Sequence, residues 1–564
     1  MKSRFVLALM VLAVACTPRP RHLTILTTDD VHAAWFDSTY TGDGNQSSLL
    51  AVKYYVDSVR RADGAGNVLL LDAGDCLQGD NAAYYYNYVD TESVHLFSRM
   101  AAYMEYDAIA VGNHDIEAGP AVYRRVEKEL AERGIPFLAG NAVSDSTGLP
   151  VFPVYKVFRR GGMKVLVLGY TNPNIPMWLD KQAWPGMHFE SLVPLVQKDV
   201  DNLSAIINPD VTVVVAHSGT GNGTGTVLED QSLDLYKSLR VVDFIVCGHD
   251  HRQIAVCNDS IALLNSGKKA RYVSIGRIAM DAGGKKKLEA GLIKVDGRKS
   301  DPAMRKAFRK DFEAVRAFSM HNIGIITEDL YSRDSYKGPC PYINLLHQVQ
   351  LRYSGADISF AAPLNYNGKV SAGNVSYNDL YTIYPYENQL YVLRLTGKEI
   401  KDYLEYSYGL MLSAPGSAHT LAIAQKDDPR YAQKGWSFVN ASYNFDSAAG
   451  INYTVDLSKP KGARISILGL ADGTPFDLAA EYSVAMTSYR ASGGGYLLLK
   501  GAGIPMEELQ KRVVARHKEI RLMLKDYVEA EGVLDPEKFV TPEMGSWKYL
   551  PDNSAIVKDL TLLF

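Results

Sequence analysis

Five short apolar runs, each ending in a cluster of Asp, Asn or His, constrain this chain more than any other feature. Leu23-Thr24-Ile25-Leu26 leads into Asp29-Asp30-Val31-His32, and Val68-Leu69-Leu70-Leu71 leads into Gly74-Asp75. Ala108-Ile109-Ala110-Val111 precedes Gly112-Asn113-His114-Asp115. Val211-Thr212-Val213-Val214-Val215 precedes His217, and Phe244-Ile245-Val246 precedes Gly248-His249-Asp250-His251. Runs this short, rich in β-branched residues and separated by helical patterns, predict an α/β fold with buried strands. Ligands of such sheets gather beyond the carboxyl ends of the strands. A lone Asp at a strand end is usually a cap, whereas five strands delivering these side chains to one edge form a constellation.

That set of residue types suits two-metal chemistry. Two divalent cations about 3.5–4 Å apart clamp a phosphoryl group and generate a hydroxide nucleophile near neutral pH. A carboxylate between the ions can hold both, imidazoles favour Zn, Mn or Fe, and a neutral Asn limits the negative charge facing the phosphate. A histidine that is not a ligand can then protonate the leaving group.

The same motifs resemble those of the exported 5′-nucleotidases and 2′,3′-cyclic-nucleotide phosphodiesterases of the calcineurin-like metallophosphoesterase superfamily, over nearly the whole mature chain. The resemblance implies two divalent metal ions (Zn, Mn or Fe) held by Asp30, His32, Asp75, Asn113, His217, His249 and His251, with Asp75 as the bridge. It implies a four-layer α/β/β/α metallophosphoesterase domain followed by an α/β 5′-nucleotidase-type substrate domain. His114 takes the place of the family's transition-state histidine. The family usually carries an Asp three residues later to orient it, and Glu117 stands there in this chain. Asp29 replaces the usual Asn, which adds negative charge beside the site. His251 is an accepted variant, because some relatives carry Gln.

At 564 residues the chain is too long for one ordinary core, so two domains of roughly 200–270 residues are expected. Asp301-Pro302 has the form of an N-cap and first helical residue, and Met304, Phe308, Phe312 and Val315 follow at helical spacing. A connecting helix over 299–320 is therefore expected between a metal domain over 22–298 and a substrate domain over 321–564. The second half carries four segments similar to the family's: Ala362-Pro363, Tyr384-Pro385-Tyr386-Glu387-Asn388, Leu395-Thr396-Gly397-Lys398-Glu399, and Tyr489-Arg490-Ala491-Ser492-Gly493-Gly494-Gly495-Tyr496. Tyr489 matches a base-stacking aromatic of the family. For its partner, Phe445 resembles the nucleotidase position and Tyr386 the cyclic-phosphodiesterase position. The glycine run can bring backbone close to a flat ligand.

One departure concerns the substrate. The 5′-nucleotidases carry a G-G-x-R-type motif that supplies arginines, but no arginine occurs here from Tyr353 through Leu393. That stretch and Tyr489-Arg490-Ala491 resemble the cyclic-nucleotide phosphodiesterase branch, so 2′,3′-cyclic or 3′-nucleotides are the expected substrates, with 5′-nucleotides as a further class. A nucleotide-sugar pyrophosphate hydrolase and a catalytically silent nucleotide-binding lipoprotein are the alternatives.

The N-terminus reads as a signal segment over 1–15, since Lys2 and Arg4 precede an apolar run from Phe5 to Ala15 that is too short to span a bilayer. Ala13-Val14-Ala15-Cys16 resembles a bacterial lipobox, which makes Cys16 a lipidated membrane anchor, 16–21 its tether, and the protein an exported lipoprotein facing the periplasm. Sixty basic and 63 acidic side chains give a net charge of −3, so no nucleic-acid polymer is expected as a partner, and no protein partner is indicated. Export permits disulfides among Cys76, Cys247, Cys257 and Cys340. Their spacing favours no pairing, and Cys76 and Cys247, which adjoin metal motifs without Cys-x-x-Cys spacing, are read as small buried residues.

Overall fold

The structure, a computed structural model, describes residues 20–42, 44–225, 227–426, 434–539, 541 and 544–564. The expected signal segment, Cys16 and tether residues 16–19 lie outside the described residues.

The apolar runs become strands because burial on both faces removes any need for alternating polarity. Val68–Asp72, Val211–Ala216 and Phe244–Cys247 are buried at every position. Arg21–Thr28, Val68–Asp72, Ala108–Ala110 and Phe137–Leu138 pair in parallel in that order. Tyr272–Met280 and Lys286–Lys294 continue this sheet antiparallel at its other edge. In a second six-stranded sheet Met163–Tyr170, Val211–Ala216, Phe244–Cys247 and Ala262–Ser266 run parallel. Antiparallel Tyr155–Arg160 and Gln253–Cys257 flank them.

Side-chain alternation then sorts residues between layers. Ile25, Leu69, Val165, Val213 and Phe244 share one cluster between the two sheets, while neighbouring Leu26 and Leu70 join Val52, Val56, Met100 and Val126 of the helices outside the first sheet. On the far side Leu166 and Leu168 pack with Val196, Val200 and Leu235 of helices Leu192–Ile207 and Ser232–Ser238. This is the expected four-layer α/β/β/α order.

Asp301 caps the connecting segment by accepting a hydrogen bond from Met304 N at 2.6 Å, with Pro302 as the first helical residue. Two helices follow where one was expected, Pro302–Ala307 and Arg309–Ser319, because the backbone leaves helical geometry at Phe308 (φ −104°, ψ 14°). The apolar stripe is packing: Met304, Phe308 and Val315 are buried in the core of the first half, and Phe312 meets Phe36 and Tyr40 at 5.2 and 5.8 Å between ring centroids.

The second half is built on a five-stranded sheet in the order Ser447–Ala449, Ile358–Ala361, Glu481–Thr487, Gln389–Thr396, Val513–Glu519. Register places Ser447 opposite Ala361, Thr487 opposite Leu390, and Glu519 opposite Gln389. The segments holding Ala362, Tyr443, Tyr386, Tyr489 and Arg521 therefore all leave the same end of the strands. That end meets the first half. Tyr84 packs among Tyr377 and Leu524, the Arg521 guanidinium lies 4.8 Å above the Tyr84 ring, and Asn81 Nδ2 donates to Asn378 Oδ1 at 3.1 Å. Cys76, Cys247 and Cys340 are buried and Cys257 is exposed, all four as free thiols.

Candidate active site

Each metal-ligand candidate of the first half sits just past the carboxyl end of its strand, and the structure brings all seven together. The donor atoms of Asp30, His32 and His251 lie within 4.8 Å of one another, as do those of Asp30, Asp75 and His217. His32 Nε2 and His251 Nε2 are 3.0 Å apart. Asn113 Oδ1 is 3.0 Å from His217 Nε2 and 2.9 Å from His249 Nδ1. Asp75 Oδ2 stands between the two groups, 3.2 Å from His217 Nε2 and 4.0 Å from His32 Nε2.

The backbone is bent to achieve this. Asp30, His32, Asp75, His249 and His251 have φ of 47°, 46°, 61°, 75° and 58°, a left-handed conformation that costs an ordinary residue roughly 1–2 kcal/mol. Strain of this kind clusters at functional sites. Gly112 lets the second and third loops approach, since a Cβ there would sit 2.1 Å from Asp75 Oδ1.

The donor set fits two cations. Asp30 Oδ1 is buried with no hydrogen-bond partner. His217 Nδ1 donates to the Ala73 carbonyl at 2.7 Å, which in the neutral ring leaves Nε2 an unprotonated lone pair facing Asn113 and Asp75 oxygens. Such a carbonyl contact is the usual way a ligand histidine is oriented. Burial holds His32 and His251 well below the usual imidazole range and His249 at about 3, so all three present neutral ligating nitrogens. Burial by itself raises the Asp75 carboxyl, but pairing with His217 and His114 outweighs it and holds the group well below the ordinary carboxylate range, while Asp75 in turn raises His217 against its burial.

Supporting residues were less visible in the sequence. Asp115 accepts hydrogen bonds from four backbone N–H groups, those of Gly112 (2.8 Å), Asp75 (3.0 Å), Cys76 (2.8 Å) and Leu77 (2.9 Å), tying the Asp75 and Asn113 loops together. Asp115→Ala strands those buried donors and is expected to cost roughly 2–4 kcal/mol of stability. Denaturant unfolding checks this, and an unchanged midpoint contradicts the role. Half-buried Lys269 donates to the carbonyls of His32 at 2.8 Å and Gly79 at 2.7 Å. Asp29, beside the donor Asp30, is anchored by Ser266: its Oδ2 accepts from N at 2.6 Å and Oγ at 2.5 Å. Burial pushes the carboxyl up to about 8 against those bonds.

His114 and Glu117 lie one turn apart on the helix Asn113–Glu117, with His114 Nδ1 hydrogen-bonded to Glu117 Oε2. The longer carboxylate thus reaches the ring within its own helix. Burial disfavours the imidazolium, but Asp75, Glu117 and Glu387 outweigh it and push His114 up to about 10.

The second half brings aromatic residues to the strand ends that meet the first half. Tyr386 and Tyr489 are half-buried beside adjacent strand ends. Phe445 does not fit its expected role. It is 2% exposed in the core of the second half, 5.0 Å from the Tyr408 ring and 5.9 Å from Tyr336, with no face free for a base. Tyr443, two residues earlier and 37% exposed, takes the strand-end position. The glycine run packs on protein: a Cβ at Gly494 would sit 2.5 Å from the Tyr489 ring. From the first half, Trp178 stacks on His249 at 5.0 Å.

A paired Asp/His/Asn centre between two sheets, with a helix-borne histidine beside it, defines a calcineurin-type phosphoesterase site. Comparison with known proteins agrees. Residues 23–253 match the calcineurin-like phosphoesterase model and residues 319–500 the 5′-nucleotidase C-terminal domain model. The 2′,3′-cyclic-nucleotide 2′-phosphodiesterase/3′-nucleotidase of Haemophilus influenzae is 24% identical over 94% of this chain and 87% of its own. In fold, a candidate 5′-nucleotidase from Staphylococcus aureus superposes with a TM-score of 0.78 at 20% identity, covering 94% of this chain and 99% of that one. The 5′-nucleotidase precursor of Thermus thermophilus gives 0.62 at 22% identity, covering 91% and 97%. The chain belongs to the calcineurin-like phosphoesterases that carry a 5′-nucleotidase C-terminal domain, a family of metal-dependent phosphoric ester hydrolases.

Proposed function

We propose that this chain hydrolyses nucleotide phosphoesters and prefers 2′,3′-cyclic nucleotides or 3′-nucleotides to 5′-nucleotides. The observation that carries the proposal is the convergence of the seven donors beyond the strand ends of the first half, with Glu387 of the second half close enough to act on His114. Asp30, His32, His251 and Asp75 would hold one divalent ion, and Asp75, Asn113, His217 and His249 the other. Bound ions, Zn, Mn or Fe, supply Lewis acidity and lower the pKa of water. Glu117 fixes the His114 ring through Nδ1, which leaves Nε2 to give its proton to the leaving-group oxygen. Tyr489, with Tyr443 and Tyr386 nearby, offers rings on which a base can stack.

Substrate choice follows from the missing arginines. A 5′-nucleotidase-type clamp needs guanidinium forks that can grip phosphate in bidentate fashion. The buried arginines closest to the aromatic wall are already engaged: Arg490 with Asp446 at 2.9 Å, and Arg521 with Glu387 at 2.9 Å and Glu519 at 3.0 Å. Lys369 is paired with Asp329 at 2.7 Å. The name of the Haemophilus relative supports the same branch.

The test is a comparison of AMP, 3′-AMP and 2′,3′-cyclic AMP under identical metal conditions. The latter two are expected to show the higher kcat/KM, and a clear preference for AMP overturns the branch assignment. Tyr489→Ala is expected to lower kcat/KM for nucleotides by about 10–100-fold while sparing a small aryl phosphate.

For location, the signal pattern and the Ala15-Cys16 junction support an exported lipoprotein anchored through Cys16 and facing the periplasm. Among the described residues no helix is long and apolar enough to cross a membrane.

A further inference from the structure

Arg490 belongs to the motif that sets this chain apart from the 5′-nucleotidases, yet it does not face a phosphate. It is 4% exposed, and every N–H of its guanidinium is engaged inside the protein. Nε donates to Asp446 Oδ2 at 3.0 Å, and Nη2 donates to Asp446 Oδ1 at 2.9 Å and to the Tyr443 carbonyl at 2.5 Å. Nη1 donates to Asn444 Oδ1 and to the Gly494 carbonyl, both at 3.1 Å. Asp446 is held in turn by the Tyr403 hydroxyl.

The partners come from separate pieces of chain. Arg490 directly follows Tyr489, and Gly494 backs the Tyr489 ring. Tyr443, Asn444 and Asp446 lie in the segment that precedes strand Ser447–Ala449. A Cβ at Gly495 would stand 2.5 Å from both Arg490 Nη1 and Asn444 Oδ1, so the glycine run leaves room for the guanidinium to cross between them. One planar side chain thus ties the segment bearing Tyr443 to the segment bearing Tyr489.

We propose that Arg490 is a positioning residue that fixes the separation of Tyr443 and Tyr489 as the two walls of a nucleobase slot. The proposal rests on the base-stacking role given to Tyr489 above. Holding both rings before the substrate arrives removes an ordering cost from binding. The buried Asp446 partner makes the clamp charge-assisted, and a lysine cannot reproduce it, because a single ammonium cannot reach acceptors spread around a fork.

The test uses metal-loaded wild type, Arg490→Lys, Asn444→Ala and Tyr489→Ala, assayed with 2′,3′-cyclic AMP and with p-nitrophenyl phosphate. Arg490→Lys is expected to raise KM for the nucleotide about tenfold, with kcat within about twofold and aryl phosphate kinetics unchanged. Asn444→Ala leaves the Arg490–Asp446 pair in place and is expected to raise the same KM about threefold. If Arg490→Lys fails to fold, Asn444→Ala decides alone. The proposal is overturned if the clamp variants leave nucleotide KM unchanged while Tyr489→Ala raises it. It is equally overturned if they lower activity on both substrates alike, which marks general scaffolding. No effect of Tyr489→Ala on the nucleotide would instead locate the failure in the stacking role itself, and the clamp would fall with it.

Discussion

Asp75→Asn is expected to lower turnover by at least about 10³-fold and to release metal from the chain. Asp75 Oδ2 lies 3.2 Å from His217 Nε2 and 4.0 Å from His32 Nε2, so one carboxylate faces both donor groups, and its charge is the part of the centre they share. The amide keeps the size of the side chain and an oxygen that can accept from His114 N, a bond of 2.8 Å in the native site. The fold is therefore expected to survive and the loss to be chemical. Turnover measured beside metal content by mass spectrometry checks this. A variant that retains both metals and activity within about tenfold of wild type would contradict the bridging role.

His114→Asn is expected to separate catalysis from metal binding, lowering kcat by about 10²–10⁴-fold while metal content stays unchanged. Its Nδ1 is committed to Glu117, and its ring stands 5.3 Å from that of the ligand candidate His32, beside the donor cluster without belonging to either group of converging donors. The carboxylates of Asp75, Glu117 and Glu387 favour the imidazolium, the form that a proton donor to the leaving group requires. Kinetics and metal analysis on the same preparation distinguish the roles, since loss of one ion per chain would make His114 a ligand.

The metal half was legible because each of its motifs is local. A buried strand and the few residues after it supply both the apolar run and the donor, so reading one segment at a time recovers the whole set once the strands are known to be parallel. The aromatic wall has no such rule. Tyr443 and Phe445 are two residues apart in an irregular segment, and only the packing of Phe445 against Tyr408 and Tyr336 shows which ring is core. Pairings across long separations were equally hidden. Nothing near Asp29 signals Ser266, and nothing near Arg490 signals Asp446. Asp115 lay in plain sight within Gly112-Asn113-His114-Asp115, but its function as acceptor for four backbone groups appears only when the Asp75 loop is folded against it. The break at Phe308 likewise escaped a helical pattern whose apolar spacing runs straight through it.

Metal stoichiometry measured together with activity tests the two-ion centre most directly. Protein stripped by chelation and verified metal-free by mass spectrometry is expected to be inactive toward 2′,3′-cyclic AMP. Activity is expected to return on titration with Mn and to level off when two ions are bound per chain. Full hydrolysis by verified metal-free protein, or full activity at one ion per chain, would contradict the assignment of Asp30, His32, Asp75, Asn113, His217, His249 and His251 to a paired metal site.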